Sequence, residues 1–369
     1  MRTHFLFALL FLCALPSMSK AQENDSTTLA HKPRGLSRFL QRFIETDSQY
    51  VKPNHYNCCA MLMGDMHYNF YKISAEDDTH NSQQSLYIAP YTSMRVGPYV
   101  GYSLVFLGYT FNLGTRPATS NRSNIYLSIY SPIIGIDYYY ERGVNNYKIK
   151  RVSGFNDYSD AQAVRNTSFP GLDTYLRNFH VYYVFNHKRF SYTAAYSQST
   201  EQLHSSGSFM LGFNWSKQRI HFDYTQLPSQ LLQDNSGNSI LLDGLKLSQI
   251  NYQDYSLSLG YSYNWVFAPH FLYNITLTPT LGYNINRGDK IELNKHIFSR
   301  EQLNIDLISR SAIVWNNGHF FAGASAVAHT YSYRKSSFSI LNAQFQANIY
   351  AGFNFWAKKK YRHKKNATH

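Results

Sequence analysis

From residue 56 almost to the end of the chain, large apolar residues alternate with small or polar ones. At residues 209–215, Phe, Leu, Phe and Trp alternate with Met, Gly and Asn, and residues 344–355 repeat the pattern. Successive side chains of a β-strand point to opposite faces, so a period of two predicts strands with one apolar and one polar face. Strands of parallel sheets are apolar on both faces. The chain is therefore predicted to be all-β and antiparallel.

The predicted strands are unusually long, and several have 12–17 residues. Strands of soluble sheets commonly have about 5–6 residues, whereas a tilted membrane-spanning strand needs about 9–11. Length therefore favours an up-and-down transmembrane β-barrel. The alternation predicts fifteen strands, at residues 57–73, 86–96, 98–112, 123–130, 134–141, 146–152, 178–186, 191–198, 208–215, 219–226, 253–267, 270–286, 302–315, 319–333 and 340–356.

Short and long connections alternate between these strands, as in bacterial barrels with short periplasmic turns and longer outer loops. The short turns are predicted at Gly97-Pro98, Ser131-Pro132, 186–189, 216–218, Ala268-Pro269 and Asn317-Gly318. The connection at 142–145 is short where a long one is due. If residues 146–152 are the returning arm of a hairpin beyond the membrane, about 14 strands (12–16) cross it and both termini lie in the periplasm.

Composition excludes two other classes of protein. Charged residues make up 15% of the 369 residues and aromatic residues 17%, so the chain is too apolar and too weakly charged to be disordered. The longest uncharged apolar run, Phe5–Leu15, is too short for a membrane-spanning helix, which needs about 20 residues. A mean hydropathy of −0.40 nevertheless suits a barrel, which exposes only every second residue of a strand to lipid.

The N-terminal residues predict export. A basic start, the apolar run 5–15 and the small residues around Lys20 form a secretory signal peptide that is cleaved before Gln22. A short amphipathic helix follows, because apolar residues recur at helical spacing from Leu36 to Ile44. The predicted organisation is a signal peptide at 1–21, a periplasmic linker and helix at 22–55, the barrel at 56–357 and a basic C-terminal tail at 358–369.

The aromatic residues predict where the wall meets the membrane surface. Tyr138–Tyr140, and Tyr261, Tyr263 and Trp265, suit the girdles that Tyr and Trp form at headgroup level. A Tyr-rich surface that stacks on sugars is the alternative. The expected partners are outer-membrane lipid and lipopolysaccharide, the barrel assembly machinery, and a small-molecule or ion solute. Nucleic acid is not expected for an exported chain, despite the net charge of +13.

Two pairs of residues are candidates for hydrolytic chemistry. His204 and Ser206 are two positions apart, so they share a strand face and suggest a base beside a nucleophile. His221 and Asp223 share a face in the same way and could hold a water, although a polar pair facing the lumen is the ordinary interpretation. No orienting third group is adjacent in sequence. The sequence predicts no cofactor and no metal site.

Several ordered motifs resemble one family of exported proteins. They are Asp47–Asn54 (DSQYVKPN), Val96–Tyr102 (VGPYVGY), Phe106–Phe111 (FLGYTF), Gly135–Tyr140 (GIDYYY), Tyr183–Tyr192 (YVFNHKRFSY), Ala195–Ser199 (AYSQS) with Ser206–Phe209 (SGSF), and Gly260–Ala268 (GYSYNWVFA). Over residues 47–356 the chain resembles the domain of unknown function 4421, common in Bacteroidota-type bacteria. The resemblance implies an outer-membrane barrel and implies no catalytic residues.

The sequence thus predicts an uncharacterised outer-membrane β-barrel of a Gram-negative bacterium. Its expected role is non-enzymatic, as a porin-like pore, a conduit, or a structural or surface protein. One alternative is an outer-membrane lipid hydrolase or acyltransferase, which would need a Ser–His pair on a lipid-facing or rim surface. Another alternative is a soluble periplasmic β protein that binds glycans.

Overall fold

The computed structural model describes residues 46–77, 81–91, 94–102, 105–109, 111–113, 121–145, 147–155, 163–234, 236–286, 302–335 and 338–362. The predicted signal peptide, the amphipathic helix and most of the linker lie outside the described residues. The basic tail is described only as far as residue 362.

Antiparallel β-strands make up most of the described chain, as the period-2 alternation predicts. The strands are β1 (Val51–Pro53), β2 (Tyr56–Asp77), β3 (Ser82–Pro90), β4 (Met94–Tyr102), β5 (Val105–Gly108), β6 (Phe111–Asn112), β7 (Asn121–Tyr130), β8 (Ile134–Val144), β9 (Tyr147–Ser153), β10 (Ser168–Phe169), β11 (Leu172–Val184), β12 (Thr200–Gln202), β13 (Ser206–Phe222), β14 (Gln249–Ala268), β15 (Phe271–Asn286), β16 (Leu303–Asn316), β17 (Phe320–Lys335) and β18 (Phe338–Ala357).

Helices are few and short in the described chain. The α-helices are α1 (Tyr192–Tyr196), α2 (Ser229–Leu232) and α3 (Lys359–Arg362), and 3-10 turns lie at Tyr224–Gln226 and Asp243–Leu245. None of these described helices has the length and apolar character needed to cross a membrane.

Sixteen of the described strands form one sheet, and β1 pairs separately with β12. From β13 to β18 each strand pairs with the next one in sequence, which is up-and-down topology. The last strand, β18, then pairs with β2 from Tyr56 to Ala75, so the end of the chain returns to its beginning as in a barrel wall. The predicted all-β, antiparallel barrel architecture is confirmed.

The long strand β2 has two partners along its other edge. Its first half pairs with β4 and its second half with β3, so β3 and β4 follow one another along the same edge. Among the described residues, no backbone pairing joins β6 to β7, and the sheet is not closed there. Side chains span this gap, because Arg95 of β4 donates to Asn124 of β7 over 3.0 Å and to Asp65 of β2 over 2.8 Å.

The two faces of the wall have reversed polarity compared with a soluble protein. In β14, the outward side chains of Leu257 and Leu259 are 64% and 60% exposed, whereas the inward Ser256 and Ser258 are 2% and 1% exposed. The same contrast recurs along β13 and β15, where inward residues are largely Ser, Thr and Asn. A wall that is apolar outside and polar inside is the arrangement of a transmembrane barrel.

Four local sequence predictions are wrong. The proposed turn at 216–218 lies inside β13, which is continuous to Phe222. The proposed turn at Gly97-Pro98 lies inside β4. Residues 191–198, predicted as a strand, contain the helix α1 instead. Residues 147–153, predicted as the returning arm of a hairpin, pair with β3 and β10, whereas β8 pairs with β7 and β11, so that hairpin does not form.

Local residue patterns explain two of these departures. Ser216 and Gln218 point inward and are fully buried, and Lys217 points outward, so the strand is polar on both faces at this height without turning. Tyr192 and Tyr196 are four residues apart, a spacing that fits a helical turn as well as an alternating strand. Tyr139 also differs from the predicted girdle, because it is 2% exposed and points inward between outward-facing Tyr138 and Tyr140.

Candidate functional site: the filled interior of the barrel

A buried ion pair crosses the middle of the lumen. Arg310 of β16 bonds to the carboxylate of Asp137 of β8, and four strands lie between these two in the sheet. The two side chains are 4% and 5% exposed. Ser128 also donates to the Asp137 carboxylate, and the Arg310 guanidinium lies 5.5 Å from the ring centre of Tyr182. Because an unpaired buried charge is costly, this pairing neutralises both groups and links distant parts of the wall.

A histidine extends this central cluster. The Nε2 atom of His180 lies 3.3 Å from the hydroxyl oxygen of Ser258, and its Nδ1 atom lies 3.8 Å from an Asp137 carboxylate oxygen. The order Ser–His–Asp matches that of hydrolase triads. Two features differ from a working triad: Ser258 is 1% exposed, and Asp137 is held by Arg310 rather than hydrogen-bonded to the imidazole. In this arrangement the cluster joins β8, β11, β14 and β16 across the lumen through buried contacts.

Little free space remains beside the cluster. A cavity of about 30 Å³ is bounded by the inward side chains of β7, β8, β11, β16, β17 and β18, among them Tyr139, His180 and His329. Such a volume holds one or two water molecules, since a single water needs roughly 10–15 Å³ on this measure. Side chains surround this cavity, and its volume suits bound water rather than a channel.

The connection between β11 and β13, residues 185–205, enters the lumen and is called the plug segment. Ser191 caps α1 by accepting from the Ala194 amide over 3.3 Å. The Tyr196 hydroxyl donates to Asn274 over 2.8 Å, and Gln198 donates to the Tyr350 hydroxyl over 2.7 Å. These partners lie on β15 and β18, so the plug segment is fastened to separate parts of the wall.

Further polar contacts hold the plug segment to β14. The side-chain amide of Asn264 donates to the Ser191 carbonyl over 2.9 Å and to Gln202 over 3.0 Å. Burial raises the pKa of the Tyr192 and Tyr196 phenols still further above neutral pH. Both rings can thus serve as hydrogen-bond donors to the inward-facing Asn and Thr side chains of the wall.

The N-terminal part of the described chain lies across the plug segment. Strand β1 pairs with β12, so Val51 opposes Gln202. Glu201 of β12 accepts from Lys52 over 3.2 Å and lies 2.6 Å from His270 in the turn between β14 and β15. We call this the short-turn end, because the turns at 131–133, 269–270 and 317–319 lie at the same ends of their strands.

The opposite end, called the long-connection end, is closed by an apolar core that we call the cap. There β3, β9, β10 and residues 224–247 pack against the inward faces of β2, β11, β13, β14, β17 and β18. Phe169 and Phe222 are at most 1% exposed, and their rings lie 5.4 Å apart. Other members of the cap are Tyr71, Ile73, Leu86, Ile88, Tyr147, Ile149, Leu231, Leu245, Tyr252, Tyr333 and Ile340.

Of the candidates predicted from sequence, His204 belongs to the plug segment, and Ser206, His221 and Asp223 lie outside the three groups. His204 is exposed beside Tyr50, with ring centres 5.7 Å apart, and Ser206 accepts from Asn186 over 3.3 Å. His221 is exposed near the end of β13. Asp223 caps the 3-10 turn, and hydrogen bonds from Thr225 lower the pKa of its carboxyl. The structure gives the side chains of both pairs surface or capping contacts.

Sequence reasoning did not identify Asp137, His180 and Arg310. Each is an isolated charged or titratable residue at an inward position of its strand, and the three belong to β8, β11 and β16. The available signal was a charge on the face that otherwise carries Ser, Asn and Thr. Among the residues that the structure describes, no three His, Cys, Asp or Glu side chains are arranged to hold a metal ion.

Several solved structures are similar to this chain at low identity. The outer membrane protease OmpT from Escherichia coli is 8% identical with a TM-score of 0.33, over 81% of this chain and 97% of that chain. The toluene transporter TodX from Pseudomonas putida is 9% identical with a TM-score of 0.26, over 82% and 91%. A FadL homologue from Pseudomonas aeruginosa is 7% identical with a TM-score of 0.26, over 81% and 90%.

No curated protein matches the sequence. A family model described as "Domain of unknown function (DUF4421)" matches residues 45–355. This range includes all strands of the main sheet and stops two residues before the end of β18. This match agrees with the resemblance seen in the ordered motifs. The chain therefore belongs to the DUF4421 family.

Proposed function

We propose that this protein is an outer-membrane β-barrel with a sealed lumen, which acts as a membrane-anchored structural or surface protein and not as an open pore. The observation that carries the proposal is the plug segment, which is hydrogen-bonded to inward side chains of β14, β15 and β18. The cap closes the other end with apolar packing. Solute flow through such a body would require both closures to move.

The outward apolar surface supports a membrane location. Soluble monomers rarely expose contiguous apolar patches of more than a few hundred Å². Here Leu257, Leu259, Tyr261, Tyr263 and Trp265 are all at least 40% exposed on one face of β14. This surface disfavours the soluble glycan-binding alternative.

The proposed orientation places the short-turn end in the periplasm. The described residues 46–55 and α3 both lie at this end, where Lys358 donates to the Asn54 carbonyl over 2.8 Å. Barrels keep their short turns in the periplasm and their longer loops outside. Export by the predicted signal peptide and insertion by the barrel assembly machinery belong to the same proposal.

The hydrolase alternative has one observation in its favour, the contact between Ser258 and His180. This pair faces the lumen and is buried, whereas a lipid hydrolase needs its nucleophile on a lipid-facing or rim surface. Replacing Ser258 with Ala is expected to leave outer-membrane phospholipid composition unchanged. Accumulation of uncleaved lipid in cells that carry S258A would favour the enzyme.

Planar-bilayer recording of the purified, folded protein tests the sealed barrel. The wild-type protein is expected to insert without producing conductance steps, and insertion is verified by protease protection of the membrane-embedded strands. Sustained, ion-selective steps from the wild-type protein would overturn the proposal and establish a pore. Cell fractionation tests the location, since recovery of the mature protein in the soluble periplasmic fraction would exclude a membrane barrel.

A further inference from the structure

Strand register brings four cationic side chains together on the outward face near the long-connection end. In the register of β8, β11 and β13, Tyr175 lies between Arg142 and Arg219. Arg177 lies between Tyr140 and Lys217. Directly opposed residues of neighbouring strands have Cβ atoms roughly 4.5–5.5 Å apart. We call this group the basic patch: Arg142, Arg177, Lys217 and Arg219.

The basic patch begins where the apolar belt ends. Two residues further along the strands toward the middle of the wall, the same register aligns a row of outward-facing aromatic residues. The row consists of Tyr138, Phe179, Trp215 and Tyr255. Rings of this kind mark the headgroup level of a membrane. The next outward step contains Arg177 and Lys217, and the step after it contains Arg142 and Arg219. In the proposed orientation, these two steps lie at the height of the polar headgroups in the outer leaflet.

The protein leaves these cations largely free for a ligand. Arg142, Arg177 and Arg219 are exposed, and in the described part of the chain none of the four patch residues pairs with a carboxylate. The Arg219 guanidinium donates to Asn251 over 3.0 Å. The Arg177 guanidinium lies over the rings of Tyr140 and Tyr175, at 5.8 and 5.4 Å.

These contacts position the cations without neutralising them. The two tyrosine rings hold the Arg177 plane beside the wall, which lowers the conformational entropy that a ligand must remove. Like charges on adjacent strands repel one another. A multiply charged anion that contacts several of them removes this repulsion and gains charge-assisted hydrogen bonds, which planar guanidinium groups form bidentately with phosphate.

We propose that the basic patch is a binding site for the phosphate groups of lipopolysaccharide. The inference rests on the proposed outer-membrane location and orientation. Lipopolysaccharide fits because its lipid A moiety carries more than one phosphate on a single headgroup, next to acyl chains that match the aromatic row and the apolar belt. A phospholipid headgroup carries a single phosphodiester and engages fewer of the four cations.

Binding to folded protein in neutral detergent micelles tests the site, with bisphosphorylated lipid A, monophosphorylated lipid A and phosphatidylglycerol as probes. The wild-type protein is expected to bind bisphosphorylated lipid A most tightly, with an affinity that falls as salt is raised. The double variant R177Q/R219Q is expected to weaken this binding by at least about tenfold, because it removes two charge-assisted contacts. The matched variant K246Q/R334Q, which removes two exposed charges outside the patch, is expected to bind as the wild type does.

Each remaining outcome decides against the site. Equal loss of affinity in the two double variants would mean that net charge alone is responsible, and unchanged affinity in R177Q/R219Q would exclude the patch. Preference for phosphatidylglycerol would assign the patch to phospholipid and overturn the proposal. Failure of the barrel proposal is distinguished separately, because a wild-type protein that remains soluble without detergent and does not enter vesicles would contradict the membrane location before any lipid is compared.

Discussion

The two ends of this barrel are closed by opposite kinds of chemistry. At the short-turn end, the plug segment is fastened by side-chain hydrogen bonds, such as those of Asn264 to Ser191 and Gln202. At the long-connection end, the cap is apolar, with Leu86, Ile88 and Phe222 almost fully buried. In the proposed orientation, the polar closure faces the periplasm and the apolar closure faces outward.

The difference in chemistry between the cap and the plug segment predicts how much stability the barrel loses when each is disrupted. Burying an apolar side chain contributes roughly 1.5–3 kcal/mol, whereas a typical hydrogen bond contributes about 0.5–1.5 kcal/mol net. The cap joins six strands of the wall, so its loss is expected to destabilise the whole barrel. The plug segment is one connection with specific anchors, so its loss is expected to be local.

The largest effect is expected from Phe222→Ala in the cap. Phe222 is 1% exposed and packs on Phe169, and its truncation leaves a cavity, so the free energy of unfolding is expected to fall by about 3–5 kcal/mol. Urea unfolding in detergent micelles, followed by tryptophan fluorescence, measures this change.

The matched control for that variant is Phe209→Ala on the same strand. Phe209 points outward and is 61% exposed, so its truncation removes no packing from the cap. An equal loss of stability in the two variants would show that the cap is not the stabilising closure, and the contrast between the two ends would be lost.

The next largest effect is expected from Phe213→Arg, in the wall between the two closures. Phe213 is 41% exposed on the outward face of β13, and a charge at mid-membrane costs about 2–4 kcal/mol. Refolding yield into lipid vesicles measures this cost. Lys217→Arg, on the same face and strand but at headgroup level, is expected to refold as the wild type does, and equal yields for the two variants would refute the assigned membrane height.

Period-2 alternation was sufficient to predict the wall, because lipid outside and polar packing inside impose opposite preferences on successive residues. The prediction failed where that contrast vanishes. At Ser216–Gln218 the strand leaves the apolar layer, so both faces are polar and resemble a turn. At Tyr192 and Tyr196 the side chains contact the inside of the barrel from a helix, and four-residue spacing fits both periods.

The central cluster could not be predicted by local patterns at all. Asp137 and Arg310 are 173 positions apart, and only the pairing of the intervening strands into one wall brings the two side chains together. A charge at an inward position indicates that a partner is needed, but many inward positions of the wall are compatible with that partner. The sequence therefore predicts the faces of each strand, and the fold determines which inward side chains meet.

A smaller and more local effect is expected from Asn264→Ala at the plug. The substitution removes the hydrogen bonds to Ser191 and Gln202 and leaves the buried Ser191 carbonyl without this donor, at a cost of about 1–3 kcal/mol. Trypsin cleavage at the exposed Lys188 and Arg189 is expected to accelerate by about tenfold, since 1.4 kcal/mol corresponds to a tenfold change in the open population.

Asn284→Ala serves as the control for the plug variant. Asn284 is also a buried inward amide that donates to a backbone carbonyl, that of Ser332, but it lies far along β15 from the plug segment. Its loss is expected to lower stability without changing cleavage at the plug. Accelerated cleavage in both variants would mean that the plug opens only when the whole barrel unfolds.

The smallest effect is expected from Lys52→Gln at the short-turn end. Lys52 pairs with Glu201 over 3.2 Å but is 44% exposed, and exposed ion pairs contribute about 0–1 kcal/mol. Glu201 keeps its contact with His270 in the variant, so the urea midpoint is expected to shift only slightly, and the shift is expected to vanish at high salt because screening also weakens the wild-type pair. A loss as large as that of Asn264→Ala, persisting at high salt, would show that charge rather than amide hydrogen bonding holds the plug segment, and would reverse the assignment of the polar closure.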